Sequence, residues 1–297
     1  MSAASGRILK GVRKYRFVYL MFLPIAAYFL LFAYYPFLKG IMMSFQANRI
    51  LGARPFVGFE NYAQVTADID FRQTVINSLV IGFADMALYF VLSLALALAV
   101  NELASKFARK TVQTLVYIPY LFSWAVIAGV WVLIFDERGL VNAFLGLFGR
   151  DPRFFLADPA LARPLIIGMG VWRSIGYYAL LYTAAIVGID PTLFEVARMD
   201  GATRFQQIRL VIVPSLYGTM KVVLVLLAMS VLTHFDEMFV MQNPANKQYI
   251  RTLLLYVYET GILNFKAGFA TAGATLVMIG TLVLVGVTRK LLRYDRL

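Results

Sequence analysis

"EVARMDGATRFQQIRLVIVP", residues 195–214, sets three arginines, a glutamate, an aspartate and two adjacent glutamines between two long apolar stretches. "GIDPT" (188–192) stands just before it. Thr192 and Glu195 have the spacing of a capping box, in which each side chain satisfies a backbone group at a helix start. That spacing predicts a short helix from Thr192 to about Asp200, ended by Gly201, which lacks the Cβ that opposes a backbone reversal. Thr203 and Gln206 repeat the spacing, so a second short helix is expected to about Arg209. Pro214 then precedes the next apolar run. Two brief capped helices make a polar protrusion, and such a protrusion between greasy stretches reads as a docking element.

The rest of the chain explains what the protrusion interrupts. Of 297 residues, 61% are hydrophobic and 15% charged, whereas soluble domains are about 45–50% apolar. Six runs approach the roughly 20 apolar residues that cross a bilayer: about 17–38, 77–101, 112–135, 164–189, 216–240 and 267–289. The expected fold is an all-α membrane protein with six transmembrane helices, 1–297 forming a single domain. Pro24, Pro36 and Pro119 are tolerable where neighbouring helices re-satisfy the backbone. Ala270, Ala272, Gly273 and Ala274 permit close helix packing. The first run follows Arg7, Lys10, Arg13, Lys14 and Arg16 and is longer than the apolar region of a signal peptide, so it reads as an uncleaved span.

The net charge of +12 sits mostly beside the apolar runs, where topology explains it without a nucleic-acid partner. Pieces 1–16, 102–111, 190–215 and 290–297 hold 14 basic residues, against 11 in the longer pieces 39–76, 136–163 and 241–266. The denser set is expected inside, which makes both termini and the segment 190–215 cytoplasmic. Among the outer pieces, "FVGFENYAQVTADIDF" (56–71) reads as a turn and a short interfacial helix starting near Glu60 or Asn61. In 136–164, Leu140, Phe144, Leu147 and Phe148 form an amphipathic run, followed by turns at Asp151-Pro152 and Asp158-Pro159.

Chemistry is sparse. There is no cysteine and a single histidine, which leaves no Cys or His metal cluster. No phosphate-binding Gly-x4-Gly-Lys-Ser/Thr, His-Glu-x-x-His or Gly-x-Ser-x-Gly occurs, so the chain is not expected to be an enzyme or to bind ATP, a metal or another cofactor itself. Polar groups at membrane depth are functional candidates. Trp172, Arg173 and Tyr177 in the fourth run, with His234, Asp236 and Glu237 in the fifth, combine hydrogen-bonding groups and flat aromatic surfaces suited to sugars, and are assigned to a translocation path. A structural ion pair of Arg173 with Asp236 or Glu237 is the alternative. Tyr178 and Tyr182 also fit plain packing, and Asp85 in the second run also fits an interhelical hydrogen bond.

The opening stretch resembles the signature loop of binding-protein-dependent ABC importer permeases: Glu-Ala-Ala, three residues, Gly, nine residues, Ile-x-Leu-Pro. Here it reads Glu195-Val196-Ala197, three residues, Gly201, nine residues, Val211-Ile212-Val213-Pro214, with aliphatic replacements at Val196, Val211 and Val213. "FVGFENY", "RKTVQTLVYIPYLFSWAVIAGVWVLIF", "GLVNAFLG" and "GIDPTLFEVARMDGA" extend the resemblance to the sugar-importer permeases, and within them to the subgroup taking oligosaccharides derived from polysaccharides; an acidic sugar would make a free Arg173 more useful. The resemblance implies a type I ABC importer permease fold in a bacterial cytoplasmic (inner) membrane. It implies that Glu195, Ala197, Arg198, Asp200, Gly201, Ala202 and Pro214 belong to a coupling helix seated on an ATPase. The implied partners are a second permease, a homodimer of ATP-binding subunits carrying ATP and Mg, an extracytoplasmic solute-binding protein, the oligosaccharide and membrane lipid. The alternatives are an ion-gradient-driven secondary transporter using Asp85, Arg173 and Asp236 as a relay, or an importer of a monosaccharide or glycerol phosphate.

Overall fold

A computed structural model describes residues 14–49 and 54–293; Arg7, Lys10, Arg13 and the last four residues lie outside the described residues. The described chain is helical, and its only strand-like pairing among the described residues is an isolated bridge between Gln46 and Phe56. The helices are α1 (Arg16–Ser44), α2 (Glu60–Ala67), α3 (Ile69–Asn101), α4 (Lys106–Leu121), α5 (Trp124–Phe135), α6 (Leu140–Gly146), α7 (Pro159–Val187), α8 (Pro191–Met199), α9 (Arg204–Ser215), α10 (Tyr217–Ser230), α11 (Asp236–Met241), α12 (Lys247–Ile250), α13 (Leu253–Leu263) and α14 (Ala267–Leu291). Of these, α1, α3 and α14 are each long and apolar enough to cross a membrane; the number is six if each of three bent pairs counts as one span.

Two of the expected runs are not continuous helices, and two others start earlier than expected. The run 112–135 breaks after Leu121: Pro119 ends α4, and the Ser123 side chain accepts the Val126 N–H to start α5. The helix 106–121 and the segment 124–146 meet at 106°. The run 216–240 is helical only to Ser230, and 231–235 separate α10 from α11. The run 164–189 starts earlier, because Asp158 accepts the Ala160 N–H and Pro159 occupies the first turn, a position where its missing N–H costs nothing. The second run also starts earlier, at Ile69, where Asp68 caps the first turn.

The described residues form two compact units: those up to 65 with 260–275, and 66–259 with 276–293. In the first, none of the residues 16–43 is buried. Asn61, within the "FVGFENY" stretch, is 2% exposed and organises the turn. Its amide donates to the carbonyls of Ser44 and Gln46, both at 2.8 Å, and its oxygen accepts from Asn48. Asn48 in turn accepts the Phe269 N–H. Gly58 takes φ +60°, the left-handed region that glycine adopts freely.

The second unit holds two apolar clusters. One gathers Ile81, Ile127, Ile166, Met169, Met238 and Leu255. The other gathers Tyr89, Tyr182, Ile186, Ile212, Leu216 and Leu227. The long helix α3 joins both, and Asp85 stands on it between Ile81 and Tyr89. The buried face of α3 is polar along much of its length: Thr74, Asn77, Ser78, Asp85 and Ser93 recur at helical spacing among its buried residues. The amphipathic α6 is oriented from its buried side by Asn142, whose amide donates to the carbonyls of Asp136 and Arg153. Leu140, Phe144, Leu147 and Phe148 are left more than half exposed.

Candidate functional site

Residues 190–215 form the expected protrusion, with a different first cap. Asp190, not Thr192 with Glu195, caps α8: its carboxylate accepts the Thr192 N–H at 2.9 Å, and Pro191 fills the first position. The aspartate precedes the proline, so only its short side chain reaches back to the first free amides, and Thr192 already lies within the helix. Those bonds from Thr192 hold the Asp190 carboxyl below the usual carboxylate range. At the other end Gly201 takes φ +74°. Its N–H donates to the Arg198 carbonyl and the Ala202 N–H to the Ala197 carbonyl, the paired bonds of a Schellman cap.

The second cap is as expected. Thr203 accepts the Gln206 N–H, and the Gln206 side chain accepts the Thr203 N–H at 2.7 Å. The helix then outruns Arg209, passing through a π-helical turn at Ile208–Ile212 to Ser215. Gln207 is buried and donates to the Ala202 carbonyl, tying the two short helices together.

Ala197, Asp200, Gly201, Ala202 and Pro214 line a groove of about 480 Å³. Glu195 and Arg198 lie outside it and are exposed; Arg198 donates to the Phe194 carbonyl one turn back. Leu193, Val196, Met199, Phe205 and Leu210 are all about half exposed or more. The loop thus combines exposed apolar side chains with the exposed carboxylate of Glu195.

A second cavity, about 240 Å³, opens at the break after α10. Arg173, His234, Asp236 and Glu237 line it. Trp172 and Tyr177 do not: Trp172 lies beside Trp131 and Tyr177 stacks on Tyr120 with ring centroids 4.5 Å apart. The aromatic part of the wall is instead Tyr89, Tyr120, Trp124, Tyr178 and Phe235, with hydroxyls from Ser174, Ser230 and Thr233.

Arg173 makes no ion pair with Asp236 or Glu237. Its guanidinium donates to the carbonyls of Tyr120 and Phe122 at 3.2–3.4 Å and lies over the rings of Trp124 and Tyr120 at 4.2 and 5.0 Å. The break between α4 and α5 frees those carbonyls, and the arginine re-satisfies them, as a broken membrane helix requires. An Asp85–Arg173–Asp236 relay is therefore not assembled.

Asp85 instead groups, from outside the cavity lining, with two residues of its wall, His234 and Glu237. His234 Nδ1 lies 2.5 Å from Glu237 Oε1, and its Nε2 lies 3.6 Å from Asp85 Oδ2. Asp85 and Glu237 are 3% and 5% exposed. Tyr89 reaches this level because residue 170 is glycine: a Cβ there would stand 2.3 Å from the Tyr89 hydroxyl. Tyr182 is fully buried among apolar neighbours, which is the packing role.

Sequence reading missed a third polar cluster. Glu259, 6% exposed, binds Lys247 and Arg251, both at 2.6 Å. Arg251 also bonds Asp70 at 2.9 Å. The amide of Asn77 donates to the carbonyls of Gln248 and Arg251, and its oxygen accepts from Arg163. The one available signal was excess charge in 241–266, with no indication of its partners on α3.

Residues 90–293 match the model of the binding-protein-dependent transport system inner membrane component family. The polygalacturonan/rhamnogalacturonan transport system permease protein YteP of Bacillus subtilis is 32% identical over 96% of this chain and 90% of its own length. In a crystal structure of a bacterial ABC transporter involved in the import of the acidic polysaccharide alginate, one chain matches with a TM-score of 0.90 and 30% identity, covering 97% of this chain and 98% of that one. The bacterial alginate ABC transporter in complex with an alginate pentasaccharide-bound periplasmic protein gives a TM-score of 0.88 at 29% identity, over 96% of each chain.

Proposed function

Because the chain belongs to the family of binding-protein-dependent transport system inner membrane components, we propose that it is one transmembrane subunit of an ATP-driven importer of oligosaccharides. It is a multi-pass inner-membrane permease with the type I ABC permease fold. In this reading the whole chain acts as one permease domain with six spans, each bent pair counting once, and with both termini cytoplasmic. A second permease chain completes the pathway, and a solute-binding protein delivers sugar from outside. A pair of ATPase subunits holds ATP and Mg, which this chain does not bind.

The observation that carries the proposal is the capped, exposed loop 190–215. Helix α8 is stopped at both ends by bonds within its own segment, so its outward side chains are free to seat in a partner. Glu195 supplies a charge and the apolar side chains supply area. ATP binding closes the ATPases and shifts the loop, and the spans tilt from inward-facing to outward-facing; hydrolysis resets them. The scheme requires the ATPase pair to bind the two states differently. Arg173, His234, Asp236 and Glu237, with the aromatic wall of their cavity, face the sugar, while Trp172 and Tyr177 support that wall from behind. Oligosaccharides cut from polysaccharides, acidic ones included, are favoured as cargo by the relatives' substrates. Family membership supports this reading over an ion-driven carrier.

A tagged pull-down from gently solubilised native membranes tests the assembly. The expected result is recovery of a second permease and an ATPase, with the ATPase lost from a Glu195→Ala/Gly201→Val variant. Recovery of the chain alone, still moving solute without ATP, contradicts the proposal.

A further inference from the structure

The break at 231–235 leaves backbone groups without helical partners, and buried backbone groups must find others. Ser230 and Thr233 hydroxyls take carbonyls of the last turn of α10. The His234 carbonyl is met from further away: the Thr252 hydroxyl donates to it at 2.7 Å, and Thr252 is fully buried. Immediately beside it, the Leu253 N–H donates to Ser78 Oγ on α3 at 2.9 Å. Arg251, one residue earlier, is fixed by Asp70, Glu259 and the Asn77 amide. The segment 247–259 is thus bolted to α3, and one of its side chains reaches through to the residue whose ring lines the cavity.

The same helix holds the break from its other side. A Cβ on Gly82 would stand 2.2 Å from the Val231 carbonyl oxygen, so α3 touches the backbone of the break directly. One turn on, Asp85 faces the His234 ring. His234 is therefore located by its carbonyl through Thr252 and by its ring through Glu237 and Asp85.

We propose that Thr252 is a positioning residue that ties the segment 247–259 to the cavity wall at His234, so that engagement of this segment by the solute-binding protein is transmitted to the cavity. The inference rests on the importer reading and on the topology that places 247–259 outside. Thr252 touches no sugar; it acts through the His234 backbone.

The test uses the complete complex in lipid nanodiscs: this chain, the second permease, the ATPase pair and the binding protein. ATPase activity is measured with and without sugar-loaded binding protein. Thr252→Val removes the donor at nearly constant size, and Thr252→Ser keeps it. Thr252→Val is expected to retain basal hydrolysis and to lose about fivefold of the stimulation by binding protein, the scale of one net hydrogen bond. Thr252→Ser is expected to stay near wild type. Full stimulation in Thr252→Val overturns the proposal, and so does equal impairment of the two variants, which would make packing the cause. If Thr252→Val does not assemble, Ser78→Ala releases the adjacent Leu253 amide and leaves Thr252 in place; reduced stimulation then supports the link and full stimulation overturns it. A wild-type complex whose ATPase ignores the binding protein contradicts the importer reading, and this proposal with it.

Discussion

The loop at 190–215 and the cavity wall at 231–237 are both places where a helix stops inside an apolar chain, and they are held in opposite ways. At the loop every stopping bond is local: Asp190 to Thr192, Gly201 to Arg198, Thr203 with Gln206. At the cavity the break is held from afar, by Gly82 and Asp85 on α3 and by Thr252. The first arrangement leaves side chains exposed for a partner. The second buries charge and fixes one wall. In the proposed importer, local caps would suit a lever that the ATPase grips, and long-range bonds a surface whose shape is defined before the sugar arrives.

The comparison breaks most readily where buried charge is involved. Glu259→Ala leaves Arg251 with a lost partner in the segment 247–259, and removing one member of a buried ionic cluster costs about 3–5 kcal/mol. Lys247 is 43% exposed and water screens its share, so about 3 kcal/mol is expected, read as lower thermal stability of the detergent-solubilised complex. An unchanged melting temperature would show that the clamp bears no weight.

A pair of glycines sharpens the contrast. Gly82→Ala drives a methyl into the Val231 carbonyl and must displace backbone, at a cost of about 1–3 kcal/mol. Gly201→Ala meets nothing within 4 Å and suffers only from φ +74°, about 1–2 kcal/mol for a left-handed residue. Gly82→Ala should therefore reshape the cavity and lower sugar affinity, while Gly201→Ala should leave affinity alone and weaken ATPase binding. Equivalent phenotypes would remove the distinction between the two regions.

Smaller effects belong to the loop. Thr203→Ala loses a helix cap and should destabilise by about 1 kcal/mol, seen as faster amide exchange at Arg204–Gln207 with sugar binding unaffected. The smallest is a pH effect at Asp190. Its carboxyl titrates below the ordinary range, so its contribution is complete above about pH 4 and fades as pH falls through the lowered value. Amide exchange of α8 should rise only in that acidic window, and Asp190→Asn should abolish the dependence.

How far each region could be read from sequence follows the same division. The caps of the loop lie within three residues of the groups they satisfy, so Thr203, Gln206, Gly201 and the helix between Pro191 and Met199 were legible. Thr192 was taken for Asp190 because two overlapping caps fit the same six residues and only the proline position separates them, and the end at Arg209 was too early because nothing in the local sequence marks a π-helical turn. The apolar runs were legible as runs but not as broken helices, since mean hydropathy does not register where a carbonyl is freed. Arg173 was picked out, but its partners were not: acidic residues in the next run suggested an ion pair, and the actual acceptors are carbonyls exposed by the break at Phe122. Glu259, Asn77 and Thr252 were invisible, because their partners lie on other helices far along the chain.

Uptake in proteoliposomes holding the complete complex tests most directly whether work enters through the loop 190–215. Labelled oligosaccharide is supplied with the binding protein on one face and ATP on the other. Uptake is predicted to require ATP and to fall at least about tenfold in Glu195→Ala/Gly201→Val, the factor that about 1.4 kcal/mol of lost coupling produces. Uptake by that variant at the wild-type rate, or by the wild type without ATP, would contradict it.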